Sequence, residues 1–269
     1  LEIENPEDFY QEDSETLKIK FKLLMARAKN EYVSRPLEIK MPMEKKPDRG
    51  HDSARWQFSL GNSDKKESYL GLNIRFALHD ELDDSLGYMK NAGIEFFHIR
   101  SKYYSEEKQW ELDRFSIIKV TSFPPYSFFR KNMSWRSDVG FEKRRDKNCS
   151  GCILGGGDFA KGRSWGFGPN DKSILSALFG IEGKLGGGLK GNDILAGAGP
   201  ELGAIVHLSD DLRWKTYINY KNYLGANRYE FYTVSSTARH TLGTQSSMEL
   251  NLEHTDYDTK SEVSYFLYF

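Results

Sequence analysis

From His51 to the C-terminus, apolar and polar residues alternate with a period of two in about twelve segments of strand length. Ala54, Trp56, Phe58 and Leu60 alternate with Arg55, Gln57 and Ser59. Leu70, Leu72, Ile74, Phe76 and Leu78 alternate with Tyr69, Gly71, Asn73, Arg75 and Ala77. Strands are predicted over 92–104 and 109–121, where Trp110, Leu112, Ile118 and Val120 oppose Glu111, Asp113 and Lys119. A fifth sets Met133, Trp135, Val139 and Phe141 against Ser134, Arg136, Asp138 and Glu142. Three Gly- and Ala-rich segments follow, near 151–161, 173–186 and 193–208, the middle one with Leu175, Ala177, Phe179 and Ile181 on one face. Leu212, Trp214, Ile218 and Tyr220 against Arg213, Lys215, Asn219 and Lys221 mark the ninth, and the last three cover 227–240, 245–255 and 260–269. Short polar turns at 209–211, 224–227, 242–244 and 256–260 imply antiparallel neighbours.

Before His51 the period differs. Leu17, Phe21, Leu24 and Ala28 recur at spacings of three and four, which predicts a helix over 14–30. Residues 1–13 are acidic and irregular, and 34–50 carry three prolines and many charges, as a linker does. The expected organisation is an extension over 1–50 followed by a sheet domain over 51–269. The chain begins at Leu1, which is expected of a mature form or of a fragment.

Alternation suits a solvated sheet, but it equally suits a transmembrane barrel, which turns its apolar face outward. Three features favour the barrel. The polar face is charged along whole strands: Arg213, Lys215 and Lys221 share one, Glu249 and Glu253 another. Aromatics sit near strand ends, at Trp56, Tyr69, Trp110, Trp135, Trp214, Tyr229 and Tyr265, where membrane interfaces would hold them. The last strand puts Val263, Tyr265, Leu267 and Phe269 on one face and ends on Phe, which resembles the C-terminal signal of bacterial outer-membrane proteins. The predicted fold is an all-β antiparallel transmembrane barrel of about twelve strands with a short helical periplasmic extension. An even strand count places both ends on one side, the periplasm. The long connections 79–91, 122–132 and 161–172 would then be periplasmic, the reverse of ordinary porins.

Composition sharpens this picture. Lys and Arg number 38 against 39 Asp and Glu, so the chain lacks the basic footprint of a nucleic-acid binder. The mean hydropathy of −0.64 excludes helical spans only, because a barrel hides its apolar band in alternate residues. The 37 aromatics and 24 glycines find places at rims and in curved strands. The charges expected to pair inside, largely closing the lumen, are Arg55, Arg75, Glu111, Asp113, Arg136, Asp138, Glu182, Glu201, Arg213, Lys215, Glu230 and Glu249.

Other motifs carry less. Cys149 and Cys152 lack the partners of a zinc site and the following helix of a thioredoxin-like site, so a local disulfide is expected. Three glycines at 155–157 are not followed by the Lys of a phosphate loop. His79 and Asp80, with Asp83 and Asp84, suggest a periplasmic acid–base or metal site, or a turn in which Asp bonds its own backbone, and the turn is the favoured reading. His51, Asp52 and Ser53 are too close in sequence for a triad. His98, His207, His240 and His254 would be the histidines of a lipid-modifying enzyme, an alternative for which no serine is well placed. A soluble β-sandwich or lipocalin-like binding protein is the third reading. Neither a metal nor a cofactor is expected.

Several stretches together resemble the C-terminal region of the Lnb-type bacterial family, named for a lipoprotein N-acyltransferase. They are GlyHisAspSerAlaArg at 50–55, AlaLeuHisAspGluLeuAspAsp at 77–84, IleGluPhe at 94–96 and SerTrpArgSerAspValGlyPheGlu at 134–142. The Cys149/Cys152 pair before a glycine run and GlyAlaGlyProGluLeuGly at 197–203 complete the set, in order, across most of 22–269. In that family a cysteine-dependent periplasmic domain precedes this region and carries the catalysis. The resemblance implies a membrane module without that domain, and no acyltransferase activity in this chain. The expected role is to anchor or position a periplasmic domain or partner through residues 1–50. The expected contacts are outer-membrane lipids and, through the last strand, the barrel-assembly machinery.

Overall fold

The computed structural model describes residues 14–29, 50–84, 86–127, 131–146, 149–189, 193–224 and 229–269. The expected acidic start at 1–13 and most of the linker at 34–50 lie outside them. The chain forms two units, Leu1–Met41 and Pro42–Phe269. In the first, helix α1 (Ser14–Ala28) ends two residues before the predicted limit, with Lys29 N–H donating to Met25 O. Ile19, Phe21, Leu23, Leu24 and Met25 of this helix are exposed, so its apolar residues are not confined to the single stripe that the spacing predicts.

The second unit is a closed antiparallel barrel of twelve strands, each paired with its sequence neighbours, with the last paired to the first. The strands are β1 (Arg55–Ser63), β2 (Glu67–His79), β3 (Ala92–Tyr104), β4 (Gln109–Ser122), β5 (Ser134–Asp146) and β6 (Cys149–Phe167). They continue with β7 (Ser173–Leu185), β8 (Ile194–His207), β9 (Leu212–Leu224), β10 (Tyr229–Gly243), β11 (Ser246–Thr255) and β12 (Thr259–Tyr268). The seam pairs Arg55 with Tyr268 and Ser63 with Lys260, so β1 starts where β12 ends. This end, called the near end, carries the long connections 80–91 and 123–133, whereas the far end carries mostly short turns.

One predicted connection is instead strand. Residues 161–167 extend β6 to 19 residues, and only a short 3-10 turn at Pro169–Asp171 remains before β7. The alternation fails there because Lys161 and Arg163 occupy outward positions where the other strands place apolar residues.

The pleat sorts the residues inside out. Phe58, Leu60, Phe76, Leu175, Phe179, Ile181, Leu250, Leu252 and Val263 are exposed on the outer face, while Arg75, Glu201 and Lys221 are almost wholly buried within. Trp56, Trp135, Trp165 and Trp214 ring the near end of the outer face, with Trp110 at the far end. Tyr69 and Tyr229, expected at the rims, point inward instead: Tyr69 Oη donates to Glu262 at 2.9 Å and Tyr229 Oη to Asp146 at 3.0 Å. Tyr69 shares the inward parity of Asn73 and Arg75, and a glycine lies directly across the ladder from it. Tyr69 lies over Gly61, and Tyr223 lies over Gly197 in the same way. A Cβ on either glycine would collide with the ring that lies over it. Each ring covers the bare backbone that the glycine leaves.

Gly61→Val should therefore displace Tyr69 and lower the unfolding free energy by about 1–3 kcal/mol in a denaturant titration. Gly187→Ala, where an added Cβ meets nothing within 4 Å, should change it by less than about 0.5 kcal/mol.

Candidate functional site

A lumen of this width cannot leave its charges in dry space, because an unpaired buried charge costs several kcal/mol. The pairing is organised in three tiers. At the near end the β2–β3 loop folds into the lumen and carries Asp80, Glu81, Leu82, Asp83 and Asp84 with it. Asp83 is buried against Arg75 (2.7 Å), Arg239 (2.7 Å) and Arg55 (3.3 Å), and Tyr268 Oη donates to it at 2.6 Å. Asp80 takes Arg55 and Arg239, each at 2.7 Å. The guanidiniums of Arg55 and Arg239 also lie over the Phe266 ring, at 4.4 and 4.6 Å. Arg239 is held in turn by Glu249 through Nε and Nη2. On the neighbouring strand Arg213 donates to Leu82 O (3.1 Å) and Asp84 (2.8 Å), and Lys215 pairs with Glu81.

The loop shapes itself for this. The Asp80 carboxylate accepts the backbone N–H groups of Leu82 and Asp83, at 2.9 and 3.0 Å, closing an Asx-type turn. Burial alone would raise the carboxyls of Asp80 and Asp83, but Arg239, Arg55 and Arg75 reverse this and hold both below the usual carboxylate range. The opposite side of the loop is apolar. Leu82 packs with Phe123, Ala160, Ile174, Leu178 and Ile205, from the next near-end loop and from β6, β7 and β8. Charge fastens the plug to one wall and apolar contact to the other.

In the middle tier Arg136 grips Glu201 with two bonds of 2.7 Å and also pairs with Asp158. Arg144 and Lys184 bind Glu182, Lys184 binds Glu142, and Arg114 joins Glu142 to Asp138. At the far rim Glu111 receives Lys66, Lys143 and Arg145. A cavity of about 690 Å³ runs from Asp80, Glu81 and Leu82 up to Lys65, Lys66 and Tyr257 at this rim.

Of the residues singled out in the sequence, Arg55, Arg75, Glu111, Asp113, Arg136, Asp138, Glu182, Glu201, Arg213, Lys215 and Glu249 face the lumen. Glu230 does not. It is exposed on the outer face, because Tyr229, Phe231 and Thr233 take the inward positions of β10. Aromatics on both faces of that strand hide its parity. His51, His79 and Asp80 come together around the plug: the His51 ring lies tilted against Tyr268 (4.3 Å) and Tyr88 (4.9 Å), and His79 against Tyr88 (4.4 Å). His98 lies in the lumen against Glu95 (2.9 Å), which also accepts Lys119 (2.7 Å), whereas His254 bonds Tyr232 and Thr259 on the outer face. Cys149 and Cys152 are disulfide-bonded, beside Leu154, Leu195 and Tyr223. Among the described residues no cluster of His, Cys, Asp and Glu is arranged to hold a metal ion. Arg239, Tyr268 and Phe266 escaped the sequence reading. The signal for the last two was the inward half of the alternation whose outward half ends in Tyr265, Leu267 and Phe269.

A family profile matches residues 44–269, the barrel and its approach. The chain belongs to the DUF7840 family, a domain of unknown function. No curated protein matches it. Among solved structures it is similar to the NanC porin, with a TM-score of 0.46 and 8% identity over 80% of this chain and 99% of that one. It is also similar to the KdgM porin bound to oligogalacturonate (TM-score 0.44, 9% identity, 80% and 99% covered). Omp33 of Acinetobacter baumannii gives 0.41 and 5% identity, over 82% and 100%.

Asp83→Ala should leave the buried Arg55, Arg75 and Arg239 one carboxylate short, Arg75 keeping only Asp80 at 3.5 Å, and destabilise this family member by about 3–5 kcal/mol. Asp84→Ala, at a partly exposed site with one arginine partner, should cost about 0–1 kcal/mol in the same denaturant titration.

Proposed function

We propose that this chain is an outer-membrane β-barrel, with the start of its first strand and the end of its last both on the periplasmic side, whose plugged lumen makes it an anchor rather than a pore. The observation that carries the membrane reading is the inverted burial: charges inside, large apolar side chains exposed outside, and tryptophans at the rims. In water such a surface would aggregate, because its apolar patches far exceed those of soluble monomers. The outward Tyr265, Leu267 and Phe269 support recognition of β12 by the barrel-assembly machinery. The plug supports the anchoring reading, since the near end is closed by side chains bonded to five strands. The chain enters β1 at that end, where an upstream domain or partner would be held. The motifs shared with the Lnb-type family favour the same arrangement, a periplasmic catalytic unit positioned by a barrel.

Expression in a Gram-negative host tests the membrane reading. The protein should need detergent for extraction and should migrate faster on gels when unheated. Release into plain buffer as a monomer would overturn it.

In planar bilayers the wild type should stay near baseline conductance, while Asp80→Asn/Asp83→Asn should raise it. The acid dependence follows from the lowered aspartates. Their stabilisation is full above the unfolded value of about 3.9 and is lost as pH falls through the lower folded values. Baseline conductance should therefore hold from about pH 7 to pH 5 and rise only in stronger acid.

A further inference from the structure

The outer face of the barrel is apolar strand after strand, and β6 breaks the rule. Lys161 and Arg163 both point outward and both are exposed. Phe159 precedes them on that face, and Trp165 and Phe167 follow. Among the described strand residues in the near half of the barrel, no other Lys or Arg takes an outward position. Neither residue makes an ion pair with another described residue.

Their depth is fixed by their neighbours. Lys161 lies between Trp135 of β5 and Phe179 of β7. Trp135 and Trp165 belong to the near-end ring of indoles, and such rings sit at headgroup level. A lipid-facing cation costs about 2–4 kcal/mol at the membrane midplane but about 0–1 kcal/mol at the interface. At the interface it also meets lipid phosphates. Arg163 is oriented as well as placed. Its guanidinium lies 4.7 Å from the centre of the Tyr126 ring, and Tyr126 N–H is bonded to Ser164 O at 2.7 Å. Ala177 across the ladder is too small to cover it. The two residues' Cα atoms stand about 7 Å apart along one strand face, within reach of one phosphate group for side chains of this length.

We propose that Lys161 and Arg163 form a binding site for the phosphate of an anionic phospholipid in the periplasmic leaflet. This rests on the membrane reading above, with the near end periplasmic. Arg163 supplies a planar fork of donors held by Tyr126, and Lys161 supplies a mobile second charge.

The test is native mass spectrometry of the barrel released from nanodiscs of phosphatidylcholine doped with phosphatidylglycerol. The wild type should retain phosphatidylglycerol in preference to phosphatidylcholine. Lys161→Gln/Arg163→Gln should lose that preference by about tenfold or more. Lys172→Gln, which removes an exposed near-end charge paired with Asp210, should keep it. Faster unheated migration confirms that each variant is folded. Equal retention by the wild type and the double variant would overturn the site while leaving the membrane reading intact. A preference for lipid A at the same two residues would overturn the phospholipid assignment. Failure to enter nanodiscs would overturn both the membrane reading and the site.

Discussion

Three guanidiniums, from Arg55, Arg75 and Arg239, converge on one buried carboxylate, Asp83. Like charges brought this close in a dry space repel, and only the acidic loop makes the arrangement tolerable. Two of these arginines sit on the first two strands and one on β10, while Tyr268 of the closing strand adds a fourth contact. Closing the seam between β1 and β12 therefore gathers cations that need a counterion at the same place. The β2–β3 loop supplies it, and the same act carries Leu82 across to the apolar wall. Closure of the sheet and closure of the lumen are one event electrostatically.

The rest of the interior follows the same logic with less crowding. Carboxylates and cations alternate around the wall so that each of Glu182, Glu201 and Glu142 has at least two cationic neighbours. Networks of this kind fix side chains more firmly than isolated pairs, because each group is already ordered by another. The lining of the remaining cavity carries Lys and Arg in nearly the same number as Asp and Glu.

The barrel was legible in the sequence because a period of two survives wherever one face is apolar and the other charged. It failed where that contrast failed. Lys161 and Arg163 put charge on the apolar face, and a strand read as a loop. In β10, Tyr229 and Phe231 face inward while Tyr232 faces out, and Glu230 was assigned to the wrong side. Tyr69 sits at a strand end as a rim residue does, but its parity with Asn73 and Arg75 turns it inward, over Gly61. The plug was half legible. Asp80 does make the turn that its type favours, but it also binds Arg239, which lies 159 residues away. Spacing along the chain cannot show partners brought together only when the barrel closes.

The seating of the loop in the lumen depends on its coupling to the barrel wall. A double-mutant cycle on Asp80→Asn and Arg239→Gln, read by equilibrium unfolding of the detergent-folded protein, measures it directly. A loop seated in the lumen predicts a coupling energy of about 1–3 kcal/mol between these residues. Additive effects, with coupling near zero, would mean that the loop does not close the barrel.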